Sequence, residues 1–267
     1  MVSKIIKKIS EKKYKGFFIG ILIVLIYYWA IKGTQTSPDN FIKGIPFMLD
    51  FISRMFPPDI SNLGTFLLKA VETLQMAIVG STLGALLAFP LSFLAARNIN
   101  HNKIIYNAVR TIFDICRGIN EIIWGLIFVS MVGLGPFPGV LALAAHVTGA
   151  LGRYFSEAIE TVNPETVKAI ISTGANKIQV IVRGILPEVK PSFINYTLYY
   201  LENNFRAATV LGLVGAGGIG MELLTSMKLF KNQEVLTILI IMVLMVVLID
   251  RSSAYIRKRV LKLEPIK

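Results

Sequence analysis

The sequence predicts an all-α protein, a polytopic membrane helical bundle of about six transmembrane helices. Three observations predict it. Of 267 residues, 54% are hydrophobic and only 16% charged, giving a mean hydropathy of +0.63. Residues 17–31 and 235–249 carry no charge and reach spanning length once their flanks are counted. Lysine and arginine are rich in every second connection and sparse in the others. Neither apolar run alternates as a barrel strand does, so helices are the spanning elements.

The net charge of +12 sits mainly at the two ends. Lys4, Lys7, Lys8, Lys12, Lys13 and Lys15 precede the first apolar run, and Arg251, Arg257, Lys258, Arg259, Lys262 and Lys267 follow the last. Basic flanks on apolar spans hold a chain against an anionic inner leaflet, which places both termini in the cytoplasm, with nucleic-acid binding by the tails as the runner-up reading and no nucleic-acid partner expected. No small-x-small site follows Ile31 before Lys32, so the first run reads as an uncleaved anchor rather than a signal peptide. The single cysteine, Cys116, excludes an internal disulfide.

The first span covers residues 16–31. A connection bearing Pro38, Pro46, Pro57 and Pro58 balances three basic against three acidic residues up to about residue 65 and belongs outside. Residues 1–64 are thus an N-terminal anchor helix with its outer segment, and residues 65–267 the main membrane domain. The second span, 68–96, contains Gly80 and Gly84, a small-xxx-small face suited to helix–helix contact. Arg97, Lys103 and Arg110 mark an inner connection. The third span, 107–132, ends in the uncharged turn 133–139 (GLGPFPG), and the fourth is 140–155. A basic inner segment follows, then a fifth span at 192–214, a glycine-rich outer connection and a sixth span at 234–255.

No enzyme constellation is present. His101 and His146 have no carboxylate or cysteine beside them in sequence, so no metal site or cofactor is expected. Gly215, Gly217 and Gly220 satisfy GxGxxG, but the preceding run is a membrane span rather than a strand of a βαβ unit. With Gly218, and with Gly135 and Gly139 of the other outer turn, these glycines read as an outer hinge or gate. There is no Walker A sequence. Arg117 with Glu121, and Glu202 with Arg206, are i,i+4 pairs inside spans. Charges at such depth face a bundle interior or an aqueous path. With His146 they are the candidate translocation-pathway residues, and a self-neutralised packing network is the competing reading.

The most distinctive stretch is 163–187, NPETVKAIISTGANKIQVIVRGILP. Asn163 can cap a helix whose first turn holds Pro164 and Glu165. Val167, Ile170 and Ile171 share a face, and Gly174 suits the left-handed residue that closes the helix. Ile178, Ile181, Val182 and Ile185 then form a second stripe, which Pro187 is expected to stop.

This hairpin resembles the EAA loop of ABC-importer permeases, in which EAA, three residues, Gly, nine residues and I-x-L-P follow one another. Gly174, Leu186 and Pro187 match that spacing; in the triplet Ala169 agrees, whereas Lys168 and Ile170 depart, as does Gly184 in place of Ile. The flanking segments SEAIETVNPE, RGILPEVKPSFINYTLY, RAATVLGLVGAGGIGMEL and INEIIWGLIFVSMVGLGPFPGVLALAAH look like the phosphonate-type subfamily, over roughly residues 65–255.

The resemblance implies a type I ABC importer fold with cytoplasmic coupling helices. It implies two copies of this chain in the membrane, two ABC ATPase subunits, and an extracytoplasmic binding protein delivering a phosphonate or related oxyanion such as phosphite. Within the loop, 157–190, it assigns ATPase docking to Pro164, Glu165, Val167, Lys168, Ala169, Ile170, Ile171, Thr173, Gly174, Ala175, Ile178, Leu186 and Pro187. A permease for another small solute, or an ion-coupled carrier, is the alternative.

Overall fold

A computed structural model describes residues 19–34 and 37–262, all of its regular elements helical. The N-terminal lysines, the start of the first span and Lys267 lie outside the described residues. The chain divides into two compact units, Met1–Arg54 and Met55–Lys267.

In the first unit, α1 (Ile19–Gly33) is the apolar anchor. The proline-bearing connection becomes α2 (Pro38–Met55), with Pro38 at its start and Pro46 inside it. Its apolar face is exposed along its length: Phe41, Ile45, Met48 and Ile52 recur at helical spacing.

The second unit is built on α3 (Leu63–Leu94) and α6 (Pro136–Glu160), which pack along each other. Small residues set that contact. A Cβ on Gly80 would lie 2.7 Å from Leu143 Cβ, and one on Gly84 2.6 Å from Val147 Cβ, so both glycines admit the α6 side chains. At 25 residues α6 is long enough to span. Its Gly- and Ala-rich centre reflects a helix surrounded by α3, α4, α5 and α9 rather than by lipid.

The third span is not continuous. It consists of α4 (Lys103–Gly118) and α5 (Glu121–Val132), which meet at 91°. Asn120 breaks the run by capping α5, its side chain accepting a hydrogen bond from the Ile122 N–H. Trp124 Nε1 then donates to the Cys116 carbonyl across the bend at 3.0 Å.

After α6 come α7 (Pro164–Ser172) and the short α8 (Lys177–Val180). Pro187 does not stop this helix. A π turn over Ile181–Ile185 joins α8 to α9 (Leu186–Leu211), and the Leu186 N–H donates to the Ile181 carbonyl five residues back. Widening the turn accommodates a ring that has no N–H and that an α-turn would press against the carbonyl of residue 183.

A 3₁₀ turn (Gly212–Val214), α10 (Gly218–Lys228) and α11 (Asn232–Lys262) complete the chain. By length and composition α3 and α11 are each long and apolar enough to cross a membrane, and the bent pairs α4–α5 and Lys177–Val214 with α10 meet the same measure when each is counted as one span. Counting α6 in this unit and the shorter apolar α1 in the first brings the number of spans to about six.

The end of the bundle far from the hairpin is fastened by Glu234. Its carboxylate accepts from Asn62 Nδ2 (3.0 Å), Lys231 Nζ (2.9 Å) and Ser226 Oγ (3.0 Å), tying α3, α10 and α11 together. Beside it, hydrogen bonds from the Ser61 hydroxyl and N–H hold the Asp59 carboxyl below its usual pKa.

Candidate functional site

The hairpin stands on a rigid base. Glu160, at the end of α6, accepts from Arg110 (2.8 Å) and from the Arg97 N–H (2.8 Å), and Asn98 Nδ2 donates to the Ile159 carbonyl (2.7 Å). The Arg97 and Arg110 guanidinium groups lie over the Tyr106 ring, at 5.1 and 4.5 Å from its centroid respectively. Beneath the hairpin, Leu151, Phe155, Ile159, Val162, Ile185, Val189 and Phe193 form a buried cluster joining α6 to α9. The Asn163 N–H donates to Glu188 at 3.3 Å, so entry to and exit from the hairpin are held together.

Caps form both helices of the hairpin. Asn163 accepts from the Glu165 N–H, and Asn176 and Gln179 make a reciprocal capping box. Gly174 has φ +80° with open space where a Cβ would stand, so it is the left-handed backbone of the turn, and not lack of room, that calls for glycine.

The apolar residues of the hairpin divide into two sets. Val167 packs onto the buried cluster and Ile170 is half-buried, whereas Ile171 is 54% and Ile178 72% exposed. Pro164, Glu165, Lys168, Ala169, Thr173 and Pro187 are exposed, and Ala175 and Leu186 half-buried. Between the hairpin and residues 98–101 lies a cavity of about 340 Å³, lined by Ile99, Val167, Ile171, Val180 and Ile181.

Two departures from the EAA pattern prove to be one. The Ile170 Cδ1 occupies the space above Gly184, where a Cβ would come within 2.6 Å of it. A large residue in the triplet is thus offset by a small one in the I-x-L-P position. Gly184→Ile alone is expected to destabilise by about 1–3 kcal/mol through overpacking. Adding Ile170→Ala should recover most of that loss, which a double-mutant thermal-unfolding cycle measures.

Of the two expected pairs of charged residues inside the spans, only one forms. Arg117 and Glu121 lie on either side of the α4–α5 bend, so i,i+4 spacing no longer brings them onto one face. Arg117 pairs with Asp114 (2.9 Å), and Glu121 lies 3.9 Å from His146 Nδ1. His146 therefore does have a carboxylate beside it, supplied by the fold rather than by its neighbours in sequence.

Glu202 and Arg206 do pair, at 3.0 Å, and α11 extends the pair into a network that the sequence analysis missed. Asp250 accepts from Arg206 (2.8 Å) and Arg257 donates to Glu202 (3.1 Å). The missing signal was the register of α11 against α9, which no local spacing reveals. Arg117, Arg206 and Arg257 each have a carboxylate partner, so these three groups supply polarity without a large uncompensated charge.

The glycines expected to form an outer hinge or gate are mostly tightly seated. Gly217 and Gly218 have positive φ and lie against Glu72 and Thr73 of α3, which accept from the Gly218 N–H (3.0 Å) and the Ile219 N–H (2.8 Å). Gly139 abuts Met76 and Ala216, and Gly220 abuts Thr209 and Gly212. Gly215 has φ +89° and its carbonyl accepts from the Gly135 N–H at 3.0 Å, joining the two glycine turns; Gly135 itself stands in open space.

The fold is thus a helical bundle of membrane-spanning composition, with a braced, partly apolar hairpin at one end and a network of paired charges between α9 and α11. The profile of the binding-protein-dependent transport system inner membrane component family matches residues 88–262, and the chain belongs to that family. Its partners are accordingly an ATPase and a substrate-binding protein.

The phosphite transport system permease protein PtxC of Stutzerimonas stutzeri is 36% identical over 239 residues, covering 90% of this chain and 86% of that one. The phosphate-import permease protein PhnE of Mycolicibacterium smegmatis is 36% identical over 204 residues, covering 76% of this chain and 38% of that one. Among solved structures, a chain of the inward-facing MetNI methionine ABC transporter superposes with a TM-score of 0.66 at 23% identity, covering 76% of this chain and 99% of that one, which is a likeness of fold.

Proposed function

We propose that this chain is the membrane subunit through which an ATP-driven importer of the cytoplasmic membrane takes up phosphite or a phosphonate, both termini facing the cytoplasm. Near full-length similarity to a phosphite permease carries the substrate class. Two copies enclose the path, two ATPase subunits dock on the two hairpins, and an extracytoplasmic binding protein delivers the oxyanion. Residues 65–267 form the permease domain and residues 1–64 an anchor with its outer segment.

The braced base supports the coupling role. A hairpin locked to α6 and α9 transmits displacement of a bound ATPase to both spans, whereas a loose loop would absorb it. Arg117, Glu121, His146, Glu202 and Arg206 line the path in this reading, and the paired glycine turns join the moving parts at its outer end.

Uptake into proteoliposomes containing the permease, ATPase and binding protein tests the substrate. Phosphite or methylphosphonate should accumulate well above phosphate. Uptake of an unrelated solute, with none of the three phosphorus compounds transported, would overturn the assignment.

A further inference from the structure

The fifth span carries a polar stripe that the bundle leaves unsatisfied. On α9, Ser192, Asn195, Tyr196, Tyr199, Glu202, Asn203 and Arg206 recur at intervals of three and four, so they share one face. The stripe runs for about 21 Å at the helical rise, most of the thickness of a hydrocarbon core.

Among the described residues, the side chains of Ser192, Asn195, Tyr196, Tyr199 and Asn203 have no hydrogen-bond partner. Their neighbours behave differently. Thr197 and Thr209 donate back to the carbonyls of Phe193 and Arg206, and Asn204, one position from Asn203, donates to Ser81 Oγ at 2.7 Å. Unpaired amides and hydroxyls facing lipid are costly, so this face meets water, a solute or another polar surface. Tyr154 of α6 extends it, stacked on Tyr196 at 5.0 Å.

We propose that this face of α9 is the surface along which the substrate oxyanion moves, its hydroxyl and amide groups acting as successive weak donors to a tetrahedral anion. The assignment rests on the transport function proposed above and adds the rungs between the charges. Conduction needs sites that bind enough to admit a solute and too weakly to trap it. Neutral donors meet that condition. So does Arg206, whose charge is already shared by Glu202 and Asp250, and Arg117, which is paired with Asp114.

Two readouts on the complete complex test the stripe. Asn203→Leu and Asn195→Leu should lower phosphite uptake per assembled complex by about tenfold, while stimulation of ATP hydrolysis by the binding protein stays within about twofold of wild type. Asn203→Gln should recover part of the uptake.

The second readout needs no substrate. On a Cys116→Ser background, Asn195→Cys should react with a membrane-impermeant thiol reagent faster than Ile194→Cys, whose side chain lines an apolar groove between α3 and α9. Unchanged uptake in the leucine variants, equal labelling at 194 and 195, or loss of assembly in step with uptake would overturn the proposal. A wild-type complex that ignores phosphite but labels at 195 as expected would contradict the substrate reading and leave the stripe standing.

Discussion

Gly220→Ala yields little or no assembled permease. A Cβ on Gly220 would overlap the Thr209 carbonyl oxygen and come within 3.0 Å of the Gly212 Cα. Both obstacles are backbone, so no side chain can turn aside to make room. Gly212 faces the same joint, where its own Cβ would lie 2.6 Å from the Gly220 Cα. Forcing them apart separates α9 from α10 and disturbs the Ile219 N–H bond to Thr73. The cost lies at or above the upper end of the roughly 1–3 kcal/mol expected of overpacking. Gly64→Ala, where a Cβ meets nothing within 4 Å, should change stability by less than about 0.5 kcal/mol. Fluorescence-detected size exclusion and thermal unfolding of the two variants measure the contrast.

Ile178→Asp, and to a lesser degree Ile171→Asp, releases the ATPase from an otherwise folded permease. These two side chains are the exposed apolar residues at the tip and flank of the hairpin. A carboxylate there costs the isolated chain little, since it stays in water. Buried in a partner's groove it loses the apolar contact and is desolvated, a loss of about 2 kcal/mol or more at an interface hot spot. That corresponds to roughly thirtyfold in affinity. Co-purification with the ATPase should fall accordingly while permease yield holds. Val167→Asp should do the reverse and reduce the yield itself, because Val167 packs onto the cluster beneath the hairpin.

Much of the architecture was legible in the sequence because membrane insertion writes it locally. Apolar length marks the spans. Gly80 and Gly84 mark a helix–helix contact through their spacing, and the fold supplies α6 as the partner. The capped ends of the hairpin are equally local, since Asn163 and Asn176 bond within three residues of themselves. What stayed hidden depends on geometry that spacing does not encode. A proline read as a stop became tolerable once the preceding turn widened at Ile181–Ile185. The Arg117–Glu121 spacing implied a shared face only on the premise of an unbroken helix, and Asn120 breaks it. Asp250 and Arg257 join the Glu202–Arg206 pair across 44 and 55 residues of chain, a relation fixed by packing of α11 on α9. The polar stripe was present at helical spacing, but its tyrosines also read as ordinary apolar content of a span.

In the proposed function, transport through this chain is driven by an ATPase acting on the hairpin. Its most direct test is phosphite uptake by proteoliposomes holding the permease and binding protein, with and without the ATPase subunit and internal ATP. Uptake should appear only when both are present, and should fall steeply when Ile178→Asp replaces the wild-type hairpin. Accumulation by the permease alone under an imposed proton or sodium gradient, without ATP, would contradict it.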